Sequence, residues 1–192
     1  MPATIPPLMP GGDNPNRFIK KMFQESFLND VFNPPDGTIG LGKILNLPNN
    51  ATIKRVYAVL KPQAERAIRI AFKLSPQATN KEVYEAVKNR VIQKYTYSGI
   101  NVYTHPDTDE FGPEDSKQDI QEYKKISSSF KKLQKQFAEA WGLPNYQNDQ
   151  ELSEAQEAVM GVFKREYYKL DYNSTDEQLQ QAEKAAKRGR RI

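Results

Sequence analysis

Residues 52–74 read TIKRVYAVLKPQAERAIRIAFKL. Ile53, Val56, Leu60, Ala64, Ala67 and Ala71 recur at steps of three and four, the period of an α-helix with one apolar face. On a wheel of about 100° per residue, Arg55, Arg66, Arg69 and Lys73 fall within about 60° of one another, roughly 150° from the centre of the apolar set. One face is therefore built to pack and another to stay charged, with Glu65 the only acid on the segment. Pro62 lacks an N–H and crowds the preceding turn, which predicts a kink or a new first turn there.

Working outward, the same period appears on both sides. From Arg17 to Phe32 the residues Phe18, Ile19, Met22, Phe23, Phe27, Leu28, Val31 and Phe32 form a helical stripe, opened by Asn14-Pro15 and stopped by Pro34-Pro35. Asp36 to Asn50 reads as a loop whose Ile39, Leu41, Ile44, Leu45 and Leu47 lie on the protein or on a neighbour. Thr79 with Glu82 forms a capping box for a helix to about Tyr95, and a short hairpin around Ser98-Gly99 fits Tyr95–Thr104. A long helix from about Glu114 to Trp141 carries Ile120, Tyr123, Ile126, Phe130, Leu133, Phe137 and Trp141 on one stripe, closed by Gly142 and Pro144. Ser153 with Gln156 and Ser174 with Glu177 open two further helices, ending near Leu170 and Gly189. No internal repeat is visible.

These elements predict an all-α fold, a helical bundle of five to six helices with an extended Pro-rich N-terminal arm. The parts are an arm over 1–16, an arm helix and loop over 17–50, the bundle over 51–183 and a basic tail over 184–192. Prolines 2, 6, 7, 10 and 15 with Gly11-Gly12 keep the arm out of helix and ladder alike.

Charge is sorted along the chain. Residues 1–105 hold 14 Lys/Arg against 7 Asp/Glu, residues 106–183 hold 9 against 17, and the last nine add five basic groups and no acid. A basic front, an acidic back and a basic tail can hold a polyanion on one side. Arg17, Lys20 and Lys21 on the first helix, the stripe Arg55, Arg66, Arg69 and Lys73, and Lys187, Arg188, Arg190 and Arg191 at the end are the candidate phosphate contacts. Lys54 and Lys61 flank the stripe, and Lys88, Arg90 and Lys94 lie on the next helix. Such a stripe can track a nucleic-acid backbone without reading bases, and its other reading is a solvated helix face. The long helix has acids Glu114, Asp115, Asp119 and Glu122 in front and Lys131, Lys132 and Lys135 behind. This order suits the helix dipole and calls for no ligand. Tyr95, Tyr97 and Tyr103 cluster near the basic third helix, where interface packing competes with base stacking.

Catalytic and metal signatures fail on inspection. The chain has no cysteine, which excludes disulfides and thiolate chemistry, and His105 is its single histidine, so one subunit has neither a serine–histidine–aspartate triad nor a two-histidine metal site. In the acidic run from Asp107, Asp109 and Gly112 fit a calcium loop, but Phe111 and Gln118 occupy ligand positions five and twelve. Gly40-Leu41-Gly42-Lys43 lacks phosphate-loop spacing. The expectation is a chain that is not an enzyme and takes no cofactor and no metal. With a mean hydropathy of −0.78 and no apolar run near 20 residues, no membrane span is expected. The first residues show no basic region leading into an apolar run, which argues against a secretory signal and leaves Asn50-Ala51-Thr52 and Asn173-Ser174-Thr175 as chance glycosylation motifs.

At the level of layout the chain resembles the helical major coat proteins of filamentous archaeal viruses. The matching features are the arm through Pro15, the apolar and basic helix from Arg17, and the basic-striped helix from Thr52 to Leu74. The resemblance implies a cysteine-poor bundle that pairs with itself or with a homologous coat subunit and wraps linear double-stranded DNA. Its setting would be the virion, with the host cytoplasm before assembly. The rival expectation is a protein–protein assembly adaptor, such as a phage head–tail connector, in which the basic half meets the acidic half of the next subunit.

Overall fold

A computed structural model describes residues 15–97 and 117–189 of the chain. Helix α1 (Pro15–Phe27) runs into a π-helical turn at Leu28–Phe32. It is followed by α2 (Leu41–Ile44), α3 (Ile53–Ala71), α4 (Asn80–Tyr97), α5 (Lys117–Ala140), α6 (Asp149–Tyr167) and α7 (Asp176–Gly189). Among the described residues there are seven helices and no strand. The expected bundle of five to six helices thus gains the one-turn α2, inside the segment read as a loop. Pro15 and Asn16, assigned to the arm, open α1 instead. The arm through residue 14, the tip of the proposed hairpin, Tyr103, the His105 loop and the tail residues Arg190 and Arg191 lie outside the described residues.

Local chemistry sets the helix starts. Thr52 Oγ1 accepts from Arg55 N at 3.2 Å and begins α3. Thr79 N donates to Glu82 Oε2 at 2.8 Å while Glu82 N donates to Thr79 Oγ1 at 3.2 Å, the reciprocal box the sequence predicts. Two starts move. Helix α6 begins at Asp149, not Ser153, because Asn148 Oδ1 accepts from Glu151 N at 2.9 Å and Glu151 Oε1 accepts from Gln147 N at 2.7 Å. Helix α7 is boxed by Thr175 and Gln178 at 2.9 and 3.2 Å, one residue later than Ser174 and Glu177. Pro62 sits exposed inside an unbroken α3, where water can serve the carbonyl it leaves unbonded.

The helix ends repeat one device. After α5, Gly142 takes φ +83, its N–H donates to Glu139 O at 3.1 Å and Leu143 N donates to Ala138 O at 2.9 Å, a Schellman closure. After α3 the left-handed residue is Lys73, φ 56, with Leu74 N donating to Arg69 O at 2.8 Å. After α6 it is Lys169, φ 57, with Leu170 N on Arg165 O at 2.8 Å, and after α2 it is Asn46 with Leu47 N on Gly42 O.

These coincidences belong to an internal repeat that the sequence reading missed. Asn148 follows Thr52 by 96 residues, α6 follows α3 by the same 96 with the same 19-residue length, and α7 follows α4 by 96 again. Under that shift Leu47-Pro48-Asn49 meets Leu143-Pro144-Asn145, and Arg69, Lys73, Leu74 and Thr79 meet Arg165, Lys169, Leu170 and Thr175. Most of the identities gather at the caps and turns, with Ala86/Ala182 and Lys88/Lys184 inside the second helix of each pair, while much of the helix faces between them has changed charge. A scan for hydrophobic periodicity passes over such a pattern.

Helix α3 is central, packing on both α5 and α6, while α1 packs on α5 and α4 on α6. Its Val56, Leu60, Ala64, Ala67 and Ile68 are buried with Val83, Val87 and Val91 of α4 and Ala155, Val159 and Phe163 of α6. Phe27, Phe32 and Leu41 join the same cluster. Between α1, α3 and α5 the rings of Phe23, Phe27, Tyr57, Phe137 and Trp141 meet mostly edge to face, with centroids 5.5–6.5 Å apart.

Candidate nucleic-acid interface

The stripe predicted on α3 splits in the folded chain. Arg55 is exposed in the first turn and Lys73 is exposed at the left-handed position past the last turn. Arg66 is held by Glu166 of α6, with Nη2 2.9 Å from Oε1, and also donates to Gln63 at 3.2 and 3.3 Å. Partial burial pulls the Arg66 guanidinium down, but the hydrogen bond and charge of Glu166 outweigh it and leave the group raised. Arg69 turns away from the stripe. Its Nε and Nη2 donate to Ala78 O at 3.0 and 2.8 Å, its Nη1 to Glu65 O at 2.7 Å, and its Nη2 lies 3.4 Å from Asn80 Oδ1. Nε and Nη2 clamp the turn between α3 and α4, while Nη1 ties the guanidinium back to its own helix. Arg165 does the same between α6 and α7, donating to Ser174 O at 3.1 and 2.9 Å, to Gly161 O at 3.1 Å and to Asp176 Oδ1 at 3.0 Å.

Cations of α4 are also taken up inside the fold. Lys94 Nζ lies 2.6 Å from Glu154 Oε2, and Arg90 lies 3.9 Å from the same carboxylate and stacks 3.9 Å above the Phe72 ring. The hydrogen bond that Lys94 donates to Glu154 holds its ammonium above its ordinary value against its own desolvation. One turn earlier on α6, Glu151 is fully buried and accepts from Tyr84 Oη at 2.9 Å.

On α1, Arg17, Lys20 and Lys21 are exposed, and only Lys21 has a described carboxylate near it, Glu25 at 3.9 Å. On α7, Arg188 is exposed, while Lys187 is half-buried beside Gly37. Nearby, Asp36 is held below the usual carboxylate value by hydrogen bonds from the Thr38 hydroxyl and backbone, helped by the charges of Lys187 and Lys164. The predicted set is therefore dispersed: α1 presents one group of cations, α3 keeps Arg55 and Lys73 at opposite ends, and Arg66 and Arg69 serve internal contacts.

The sequence reading also passed over a cationic face on α5. Lys117, Lys124, Lys125, Lys131, Lys132 and Lys135 are all exposed, and no carboxylate whose side chain is described lies within ion-pairing distance of any of them. The signal was present in the seven-residue steps 117, 124, 131 and 125, 132. It was masked because the acids that precede them suggested simple dipole ordering.

A cleft of about 360 Å³ between α2, α3 and α6 has Ile44, Leu45 and Phe163 in its wall and the Arg66–Glu166 pair beside Gln63 as its polar part. Among the described residues no group of three or more metal-ligating side chains converges, and no helix is long and apolar enough to cross a membrane. No family model, no curated protein and no solved structure matches the chain.

Proposed function

We propose that this chain is a structural, non-enzymatic coat subunit that assembles with copies of itself or a homologous subunit and binds double-stranded DNA non-specifically through its phosphates. The observation that carries the reading is the contrast between two sets of cations. Arg66, Arg90 and Lys94 are neutralised inside the fold, whereas Arg17, Lys20, Lys54, Arg55, Lys61, Lys73 and Arg188 are exposed with no ion-pair partner among the described residues. Uncompensated surface cations bind polyanions by releasing counterions, with little regard for base sequence. The virion would be the site of action, with the host cytoplasm before assembly. Titrating random-sequence duplex DNA across a salt series tests the reading: affinity should fall steeply as salt rises. No binding, or binding indifferent to salt, would sink it.

The second reading, an assembly adaptor without nucleic acid, is favoured by the way the basic and acidic parts of the chain already fit each other at Arg66–Glu166 and Lys94–Glu154. The same complementarity could join copies head to tail. An ultraviolet absorbance ratio on the native assembly, before and after nuclease, separates the two.

A further inference from the structure

The lysines of α5 form one surface. On a helical wheel Lys117, Lys124, Lys131 and Lys135 lie within about 40° of one another, and Lys125 and Lys132 widen the arc to about 120°. Phe137 occupies the opposite side of α5, its ring packed against Phe23, Phe27, Tyr57 and, just past the helix, Trp141. From Lys117 to Lys135 the face runs about 27 Å along the helix.

Dipole ordering does not account for it. The macrodipole acts within the first and last turns. The last turn of α5 contains no basic residue, Lys117 is the first residue of the helix, and Lys124 and Lys125 are in its first half. An ordinary solvated face mixes signs at steps of three and four, which stabilises the helix by ~0.2–0.5 kcal/mol per pair. Lys131 and Lys132 both repel Lys135 at those steps, and the opposite-sign steps Glu122–Lys125 and Lys135–Glu139 leave the arc with six lysines against the single acid Glu139. Where the fold does pair cations it does so closely, Lys164 lying 2.8 Å from Glu183, Arg165 3.0 Å from Asp176 and Lys94 2.6 Å from Glu154. Of the described cations left exposed and unpaired, those of α5 are the largest group gathered on one helix face.

We propose that the lysine face of α5, with Lys124, Lys131, Lys132 and Lys135 at its centre, is the principal contact for the phosphate backbone of duplex nucleic acid, an inference that rests on the nucleic-acid reading above. Charge complementarity selects the occupant. Duplex DNA presents about one phosphate charge per 1.7 Å of its axis, so a straight 27 Å row of ammonium groups faces a continuous line of anions. Lysine ammonium groups act as mobile point charges, suited to following phosphates and unsuited to fixing one base edge. A membrane surface is disfavoured because Phe137 on the apolar side of α5 is packed against Phe23, Phe27 and Tyr57, and the partly exposed Phe130 beside it is a small anchor for a bilayer. The stripe predicted on α3 becomes a secondary contact, since two of its four members serve the fold.

The test uses the full chain and random-sequence duplex DNA. A Lys124→Gln, Lys131→Gln, Lys132→Gln, Lys135→Gln variant is compared with a charge-matched control, Lys43→Gln, Lys81→Gln, Lys169→Gln, Lys184→Gln, whose positions are also exposed. Circular dichroism checks that both keep the wild-type helix content. The α5 variant should reduce the log–log salt slope by ~3 and weaken binding at low salt at least ~100-fold, against a much smaller change in the control. Equal losses in the two variants, or an unchanged slope in the α5 variant, overturn the inference and leave the nucleic-acid reading standing. If the wild-type chain does not bind DNA, both fall. Loss of binding to phosphatidylserine vesicles, with DNA affinity intact in the α5 variant, overturns the choice of occupant.

Discussion

Arg69 and Arg165 show how little a residue's type says about its task. Arg69 stands on a cationic helix and Arg165 on an acidic one, yet each directs its guanidinium at carbonyl oxygens of the following turn. A charged donor to a neutral acceptor contributes ~1.5–3 kcal/mol, and the abandoned carbonyls would be left poorly solvated. Arg69→Ala and Arg165→Ala should therefore each lower stability by ~2–4 kcal/mol in urea unfolding, and Arg69→Lys should not restore it, because one ammonium cannot replace the planar fork. A normal unfolding midpoint with weakened DNA binding in Arg69→Ala would return Arg69 to the phosphate stripe. Lys73 holds a left-handed backbone at φ 56, where a Cβ is strained and glycine is not. Lys73→Gly is expected to stabilise the fold by ~0.5–1 kcal/mol, read as a raised urea midpoint. Tyr57 titrates late, because burial among Phe27 and Phe137 pushes its phenol up to about 12 from 10.0. The folded state thus keeps this proton more tightly than the unfolded state. Stability is intact below pH 10 and declines as pH rises from 10 through 12, by at most ~2–3 kcal/mol from this group. Tyr57→Phe should flatten that decline relative to wild type; an unchanged alkaline profile would contradict it. None of these roles was written in the sequence, since each depends on what lies opposite the side chain.

Elements were more legible, and their errors have a pattern. Apolar periodicity located α1, α3 and α5 because burial requires it, and the start of α4 at the Thr79–Glu82 box and the Gly142 stop were readable because both act within a few residues. Helix α6 begins ahead of Ser153 because Asn148, reinforced by the buried Glu151, caps it, and a Ser with a Gln three residues on is equally compatible with the interior of a helix. One-turn α2 has no periodicity to display and exists because Leu41 and Ile39 are buried beneath it. Gly142→Ala combines a forbidden φ with a Cβ placed 3.3 Å from the Ala64 backbone, and should cost ~1–3 kcal/mol by thermal or urea unfolding. Gly40→Ala should cost more still, since its Cβ would collide with the Phe32 carbonyl, and backbone there cannot step aside as a side chain would. A milder loss at Gly40 than at Gly142 would show that the segment after the π-helical turn is free to shift.

At the scale of the whole molecule, the charge partition along the chain has been folded onto itself. Glu154 and Glu166 of the acidic part neutralise Arg90, Lys94 and Arg66 of the basic part, so net charge overstates the cations available to a partner. Glu154→Gln should lower stability by ~1–3 kcal/mol by leaving Lys94 without its anion. It should also steepen the salt dependence of DNA binding by releasing two cations. Destabilisation without that steepening would mean the freed cations face away from the nucleic acid. The sequence by itself determined that this chain is helical, where most helices run, and that charge is sorted along it. Those properties are set by steps of three and four residues and by the composition of short stretches. Only the tertiary structure decided which described cations remain available, that the lysines of α5 are exposed, and that α3–α4 and α6–α7 repeat one plan. The reason is physical: a guanidinium or ammonium group is committed or free according to the carboxylate or carbonyl that packing brings within 3 or 4 Å. The decisive partners here stand 60 and 100 residues away in the chain.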